Sequence, residues 1–388
     1  MTADGETTRL RLTVRNFRGV REASWAPEGV CALVGPNASG KSTLLEAWLF
    51  ARNAALRTPK DAVQVSGGAP GFVHHTPLLD APDDDASLAR VRFSVEAAGA
   101  TWTIALSAVA DHVAATYEES LRASPSDAAP RRATEDLSVG SFLTDAHWER
   151  TRTKNDGAAV VQLRRLLADV SLYRPWELQS FRKSPWSDPS LDDLRLSPTG
   201  DNVFVVLQNW RDSRSESWRF DWVDQRLRRI HQRSFAGLEL TKGGGALGAR
   251  FYAPGDEAPL PIRAASNGIL ATLLTLVAVA GTREGGVTLL DEPDNGLHPS
   301  AIRALVEAFR GLHEERGIHV VLATHSPAIL NAFTDTPEDV WVTERKAGAT
   351  FPTRLTELCD AEWLANFRLG NLYGSGFGRQ DPLSGGEA

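Results

Sequence analysis

Apolar residues alternate with polar ones at Leu10, Leu12 and Val14, a period of two that predicts a strand, and the chain then turns through Asn16-Phe17-Arg18-Gly19. Val30 to Val34 is apolar throughout, as in a strand covered on both faces, and it ends at Gly35-Pro36-Asn37. From Lys41 the spacing of Leu44, Leu45, Trp48 and Leu49 becomes that of a helix with one buried face. The order is strand, glycine-rich loop, helix.

The middle of the chain is less regular. A loop rich in Gly, Pro and Asp (Gly67 to Asp85) precedes strands at Val91 to Val95 and Thr101 to Leu106. Helices follow at Ala158 to Val170, Asn202 to Trp210 and Trp218 to Arg233. Residues 58–235 therefore read as an inserted subdomain of mixed strands and helices, a lid or arm. The absence of sustained heptads excludes a long coiled coil. Regular alternation resumes with strands at Leu238 to Leu240 and Ala249 to Tyr252, then a buried helix from Asn267 to Ala280. After it come an apolar strand from Val287 to Leu290, a helix from Pro299 to Leu312 and a second buried strand from His319 to Ala323. Continuous apolar strands alternating with helices imply an α/β fold with a mainly parallel sheet. The expected division is 1–57 and 236–373 as the two parts of one head, 58–235 as the insertion and 374–388 as a flexible tail.

Composition narrows the classes. With 388 residues, 42% of them hydrophobic, the chain can bury a large core. Its two cysteines, Cys31 and Cys359, make neither a metal-type spacing nor a disulfide framework. The longest apolar stretch, Ile269 to Ala280, is far short of the roughly 18 residues a membrane helix needs, and Met1 to Leu10 is polar, so a cytoplasmic location without a membrane partner is expected. A net charge of −7 excludes a uniformly basic coat but not a local DNA-binding patch.

The chemistry concentrates at three strand ends. Gly35, Pro36, Asn37, Ala38, Ser39, Gly40, Lys41 and Ser42, followed by Thr43, satisfy G-x-x-x-x-G-K-[ST] between a predicted strand and helix. Such a loop curls backbone N–H groups around phosphates at a helix N-terminus, with Lys41 for the β- and γ-phosphates and Ser42 for Mg²⁺. Asp291 ends the 287–290 strand and is placed to join Ser42 at the metal. Glu292, one residue on, can act as general base on water. His325 follows the next parallel strand and should lie beside Glu292, where it can sense the γ-phosphate.

Together, Asn16-Phe17-Arg18, the GPNASGKST loop, LLDEP and THSP resemble the ABC ATPases of the RecF, SMC and OLD (overcoming lysogenization defect) group. The resemblance covers roughly residues 8–56 and 236–345. It implies an ABC-type P-loop head that binds ATP and Mg²⁺ and works as a homodimer or higher even oligomer. In that group a signature serine and glycine from one subunit close over ATP held by the other. Ser266-Asn267-Gly268 matches that element in order and in opening a helix, although it departs from the transporter form and could serve only as a helix cap. Asn295, within Asp294-Asn295-Gly296-Leu297-His298-Pro299, occupies the place of the loop that touches the opposite subunit. Gln64 is the nearest glutamine that could complete the metal shell. Leu383-Ser384-Gly385-Gly386-Glu387 imitates the transporter signature, but it follows every other motif and no helix comes after it.

The resemblance implies a nucleotide-driven switch in DNA maintenance or antiphage defence, acting on DNA or on a separately encoded effector such as a nuclease. Two alternatives are a nuclease of the OLD type and the ATPase subunit of a transporter. The chain after His325 lacks an acidic cluster of the kind the first needs, and the long interval from Ser42 to Ser266 disfavours the second. The helix over 218–235 carries Arg226, Arg228, Arg229 and Arg233 mostly off its apolar stripe, which suits a solvated face or a phosphate-binding one.

Overall fold

The computed structural model describes residues 9–67, 90–109, 112–123, 130–134, 136–144, 155–174, 178–183, 186–243, 245–346, 349–364 and 366–374. Most of the 67–85 loop, with Asp83 to Asp85, and the 375–388 end, with the signature-like Leu383 to Glu387, lie outside these residues.

The chain begins with β1 (Arg11–Phe17), β2 (Val20–Trp25) and β3 (Val30–Val34), then α1 (Lys41–Leu56) and α2 (Pro59–Val65). Strands β4 (Arg90–Ala97), β5 (Ala100–Val109), β6 (His112–Arg122) and β7 (Arg131–Thr134) precede α3 (Asn155–Ala168), β8 (Val170–Tyr173) and α4 (Leu178–Lys183). Helices α5 (Val203–Asp212) and α6 (Ser217–Ile230) lead to β9 (Gly237–Gly243), β10 (Ala246–Tyr252), β11 (Leu260–Pro261) and α7 (Asn267–Ala280). The rest is β12 (Val287–Asp291), α8 (Pro299–Arg316), β13 (His319–Thr324), α9 (Pro327–Asn331), β14 (Val340–Lys346), β15 (Ala349–Arg354), α10 (Leu355–Leu358), α11 (Ala361–Leu364) and α12 (Leu369–Gly374).

The central sheet runs β15-β14-β3-β13-β12-β8, parallel except for β15. Its middle strands β3, β13 and β12 are covered on both faces, since nearly every position in them is buried and alternate side chains point opposite ways. Val30, Ala32 and Val34 of β3 join one core with Leu290, Val320, Leu322 and the apolar faces of α5, α6, α7 and α8. Cys31 and Leu33 join the other, with α1, α3, Leu289, Val321 and the strands β1 to β6. Continuous apolarity along a five-residue strand is thus the signature of two cores sharing one sheet.

The segment 58–235 contributes strands to two sheets. Strands β4 to β7 extend β1 and β2 into a single six-stranded antiparallel sheet, ordered β2-β1-β4-β5-β6-β7. Phe93 of β4 stacks on Phe50 of α1 with ring centroids 4.4 Å apart, so this sheet packs directly on the helix after the glycine-rich loop. β8 pairs in parallel with β12 and forms an edge of the central sheet. The periodicity marked β4 and β5 without revealing their partners, because a half-buried strand carries the same alternation whichever neighbour completes it, and it did not mark β6, β7 or β8.

One helix boundary also moves. The helix predicted to run to Val170 stops at Ala168, and Asp169 donates its N–H to Arg165 O and Leu166 O. The buried Asp169 carboxylate pairs with Arg195 at 2.9 Å, which fixes the break, and Val170 then opens β8. On α6 the stripe behaves as its spacing indicates. Val223 and Leu227 are buried, Phe220 and Ile230 pack partly against the core, and Arg228 is held by Asp224 at 2.7 Å.

Candidate functional site

The carboxyl ends of β3, β13 and β12 lie side by side, and the residues that follow them meet there. Gly35, at φ +156°, starts the loop after β3, and a methyl group on it would come within 2.3 Å of Thr343 Oγ1. Ala38 at φ +62° and Gly40 at φ +98° complete a left-handed curl from which α1 starts. Backbone N–H groups turned inward by such a curl make an anion cradle. Lys41 donates from Nζ to Gly35 O at 2.7 Å and Pro36 O at 3.0 Å. Burial holds its pKa below the ordinary lysine value, opposed by the nearby Asp291 and Glu292.

Across the cradle, Ser42 Oγ donates to Asp291 Oδ1 at 3.2 Å. The Asp291 carboxyl is pushed above the usual carboxylate range by burial, against the pull of the Ser42 hydrogen bond, Arg174 and Lys41. A hydroxyl and a carboxylate at this separation form an all-oxygen donor pair, the kind that suits a small hard divalent cation. Glu292 takes φ +52°, a left-handed conformation that costs a non-glycine residue about 1 kcal/mol. Its N–H is fixed by Ala323 O at 2.8 Å, and its Oε1 lies 3.0 Å from His325 Nδ1. The strained turn lifts Glu292 off the strand line and aims it at the histidine, both side chains remaining accessible to solvent.

Ser266 caps α7, its Oγ accepting the Ile269 N–H at 3.3 Å, and both Ser266 and Asn267 are exposed. A methyl group on Gly268 would sit 3.4 Å from Gly296 O, so the start of α7 and the exposed loop carrying Asn295 adjoin each other within one chain. Gln64, exposed near the end of α2, is brought to Asp291 by no hydrogen bond among the described residues. The strand that runs in beside Asp291 is β8, and its next residue, Arg174, stands with Nε 3.9 Å from Asp291 Oδ2.

A family model described as “AAA domain, putative AbiEii toxin, Type IV TA system” matches residues 105–331, more than half of the chain. The chain belongs to that family. The matched region is an AAA domain. The energy-coupling factor transporter ATP-binding protein EcfA2 of Latilactobacillus sakei subsp. sakei (strain 23K) is 34% identical over 96 residues, 24% of this chain and 32% of that protein. The chain thus spans about a third of the length of the curated relative it matches. Two solved structures are also similar, each with 10% identity. One is the SMC head bound to the C-winged helix domain of ScpA, covering 91% of this chain and 100% of that one at a TM-score of 0.48. The other is the Smc head domain with an extended coiled coil bound to the C-terminal domain of ScpA, derived from Pyrococcus furiosus. It covers 89% of this chain and 96% of that one at a TM-score of 0.47.

Several residues around the site of this family member carry no motif. Glu46, one turn into α1 beyond the loop, pairs with both Arg18 and Arg174. Thr324 Oγ1 donates to Asp294 Oδ1 at 3.1 Å, tying the loop that carries Asn295 to the residue before His325. Arg182 donates from Nη2 to Ala265 O at 2.6 Å and Asn267 Oδ1 at 2.8 Å, bracing the start of α7 from the segment after β8. Arginines so far apart in sequence give no local pattern, and only the fold reveals what they hold.

Proposed function

We propose that this chain is a Mg²⁺-dependent ATPase in which two copies close around ATP, and that the open and closed states work as a switch. The observation that carries the reading is the meeting of Ser42 with Asp291 and of Glu292 with His325 on one sheet edge, while Ser266 and Asn267 stand exposed at the start of a different helix. The first group can hold a nucleoside triphosphate and supply a base for water. The second offers free helix N–H donors to an anion arriving from outside.

In this mechanism the loop N–H groups of residues 35–43 and Lys41 Nζ bind the phosphates. Ser42 Oγ and Asp291 would hold the cation, which would supply positive charge to offset that of the phosphates. Glu292 orients water for in-line attack and takes its proton, and His325 holds the Glu292 carboxylate and contacts the γ-phosphate. Ser266, Asn267, Gly268 and Asn295 of the second copy close the far side. Hydrolysis removes the γ-phosphate that both copies grip and lets them part.

The switch is placed in antiphage defence or DNA maintenance, where it governs a separately encoded effector or the grip on DNA. The family description, which names a toxin of a toxin–antitoxin system, supports the defence side of this reading. The likeness to a transporter ATP-binding protein covers 96 residues and supports the ATP chemistry alone. Glu292→Gln with ATP and Mg²⁺ should accumulate as a dimer in light scattering, and without ATP it should not. A strict monomer whose wild-type turnover per protomer is unchanged by dilution would sink the shared-site model.

A further inference from the structure

Two residues far beyond the matched family region grip the phosphate loop. Tyr373, on α12, donates its hydroxyl to Gly35 O at 2.9 Å, the same carbonyl that accepts from Lys41 Nζ. Thr343, on β14, donates to Val34 O at 3.0 Å. A threonine hydroxyl has one proton, so the 2.7 Å contact between Thr343 Oγ1 and Ser39 Oγ must have Ser39 as its donor. The loop is thus held at its first residue by Tyr373 and at its crest by Thr343. Tyr373 is itself well anchored. Leu369 and Leu372 are buried, Gly370 N–H donates to Asn331 Oδ1 at 3.0 Å, and Gly370 lies so close to Pro327 O that a methyl there would approach to 2.3 Å. Pro327 opens α9, two residues after His325.

The donor arithmetic of Lys41 gives this contact a purpose. An ammonium has three N–H groups, and two of Lys41's acceptors here are backbone carbonyls. Contact with one oxygen on each of the β- and γ-phosphates raises the acceptors to four, so one carbonyl must be released as ATP binds. Gly35 is buried, and an orphaned carbonyl there would oppose binding. We propose that Tyr373 is a positioning residue for ATP binding: its hydroxyl keeps Gly35 O satisfied when Lys41 turns to the phosphates. The inference rests on the reading of residues 35–43 as the phosphate loop.

Tyr373→Phe removes only the hydroxyl. Without nucleotide, Lys41 still serves Gly35 O, so the melting temperature of the free protein stays at the wild-type value. With ATP the carbonyl loses its substitute donor, so KM for ATP rises about tenfold, kcat stays within about twofold, and the stabilisation on adding ATP and Mg²⁺ shrinks. Lys41→Ala, measured alongside by ATP titration, must lose binding. If it does and Tyr373→Phe binds ATP like wild type, the role of Tyr373 is refuted. A drop in the melting temperature of free Tyr373→Phe with an unchanged ATP-induced shift also refutes it, since that is the mark of a structural contact alone. Undiminished ATP binding by Lys41→Ala would instead overturn the phosphate-loop reading and remove the premise.

Discussion

At the residue scale, the site depends on groups held in states they would not choose in water. Glu292 is held left-handed, and burial makes Asp291 resist ionising. A second such group lies away from the chemistry. His319 Nδ1 accepts the Gly29 N–H at 2.9 Å, and burial, followed by the charges of His313 and Arg9, lowers its pKa to about 4. In the unfolded chain it titrates near 6.5. Between those values the unfolded chain binds more protons, so stability is fully present above about pH 6.5 and is lost as pH falls toward 4. Melting temperature should therefore decline across that window. His319→Asn, whose Oδ1 can take the Gly29 bond without titrating, should flatten the decline, and identical slopes in the two proteins would reject this account.

At the scale of elements, α7 joins two tasks. Its body is buried from Ile269 onward, whereas Ser266, which caps it, and Asn267 are exposed. Losing such a cap costs about 1 kcal/mol, too little to unfold a head of this size. Ser266→Arg should therefore leave the fold intact but reduce steady-state turnover strongly, because a long cation would fill the space in front of the helix N-terminus. Removal of Gln380 to Ala388, which carries the signature-like run, should leave turnover unchanged. Full activity in Ser266→Arg together with loss of activity on truncation would assign the signature to the other segment. The bracing of α7 by Arg182 and the tie between Asp294 and Thr324 show that neighbouring elements hold the start of α7 and the loop carrying Asn295 in place.

At the scale of the whole molecule, Asp291 and Glu292 meet Ser42 and His325 at the site proposed for ATP, and we expect the protein alone to cut no nucleic acid. Incubation with linear and circular DNA and with RNA, in Mg²⁺ or Mn²⁺ and with or without ATP, tests this. Cleavage that co-elutes with the protein and vanishes on mutating Asp83 to Asp85 would make it an enzyme of two chemistries. Much of the architecture was legible beforehand. Apolar runs at 30–34, 287–290 and 319–323 announced a sheet buried on both faces, and the loop at 35–42 announced a phosphate cradle, since both depend on residues adjacent in the chain. Strand pairing in 58–235 was not legible, because β4 and β5 show only that they are strands and the periodicity does not mark β6 to β8. Which edge each completes is settled by burial against α1 and β12, contacts made across long stretches of chain. The same holds for Arg174 beside Asp291 and Tyr373 on Gly35 O. Sequence alone determined the chemical groups and the local turns that present them, because backbone geometry acts over a few residues. Tertiary structure alone decided which distant side chains support those groups, because a hydrogen bond or ion pair requires proximity in space and leaves no periodic trace in the chain.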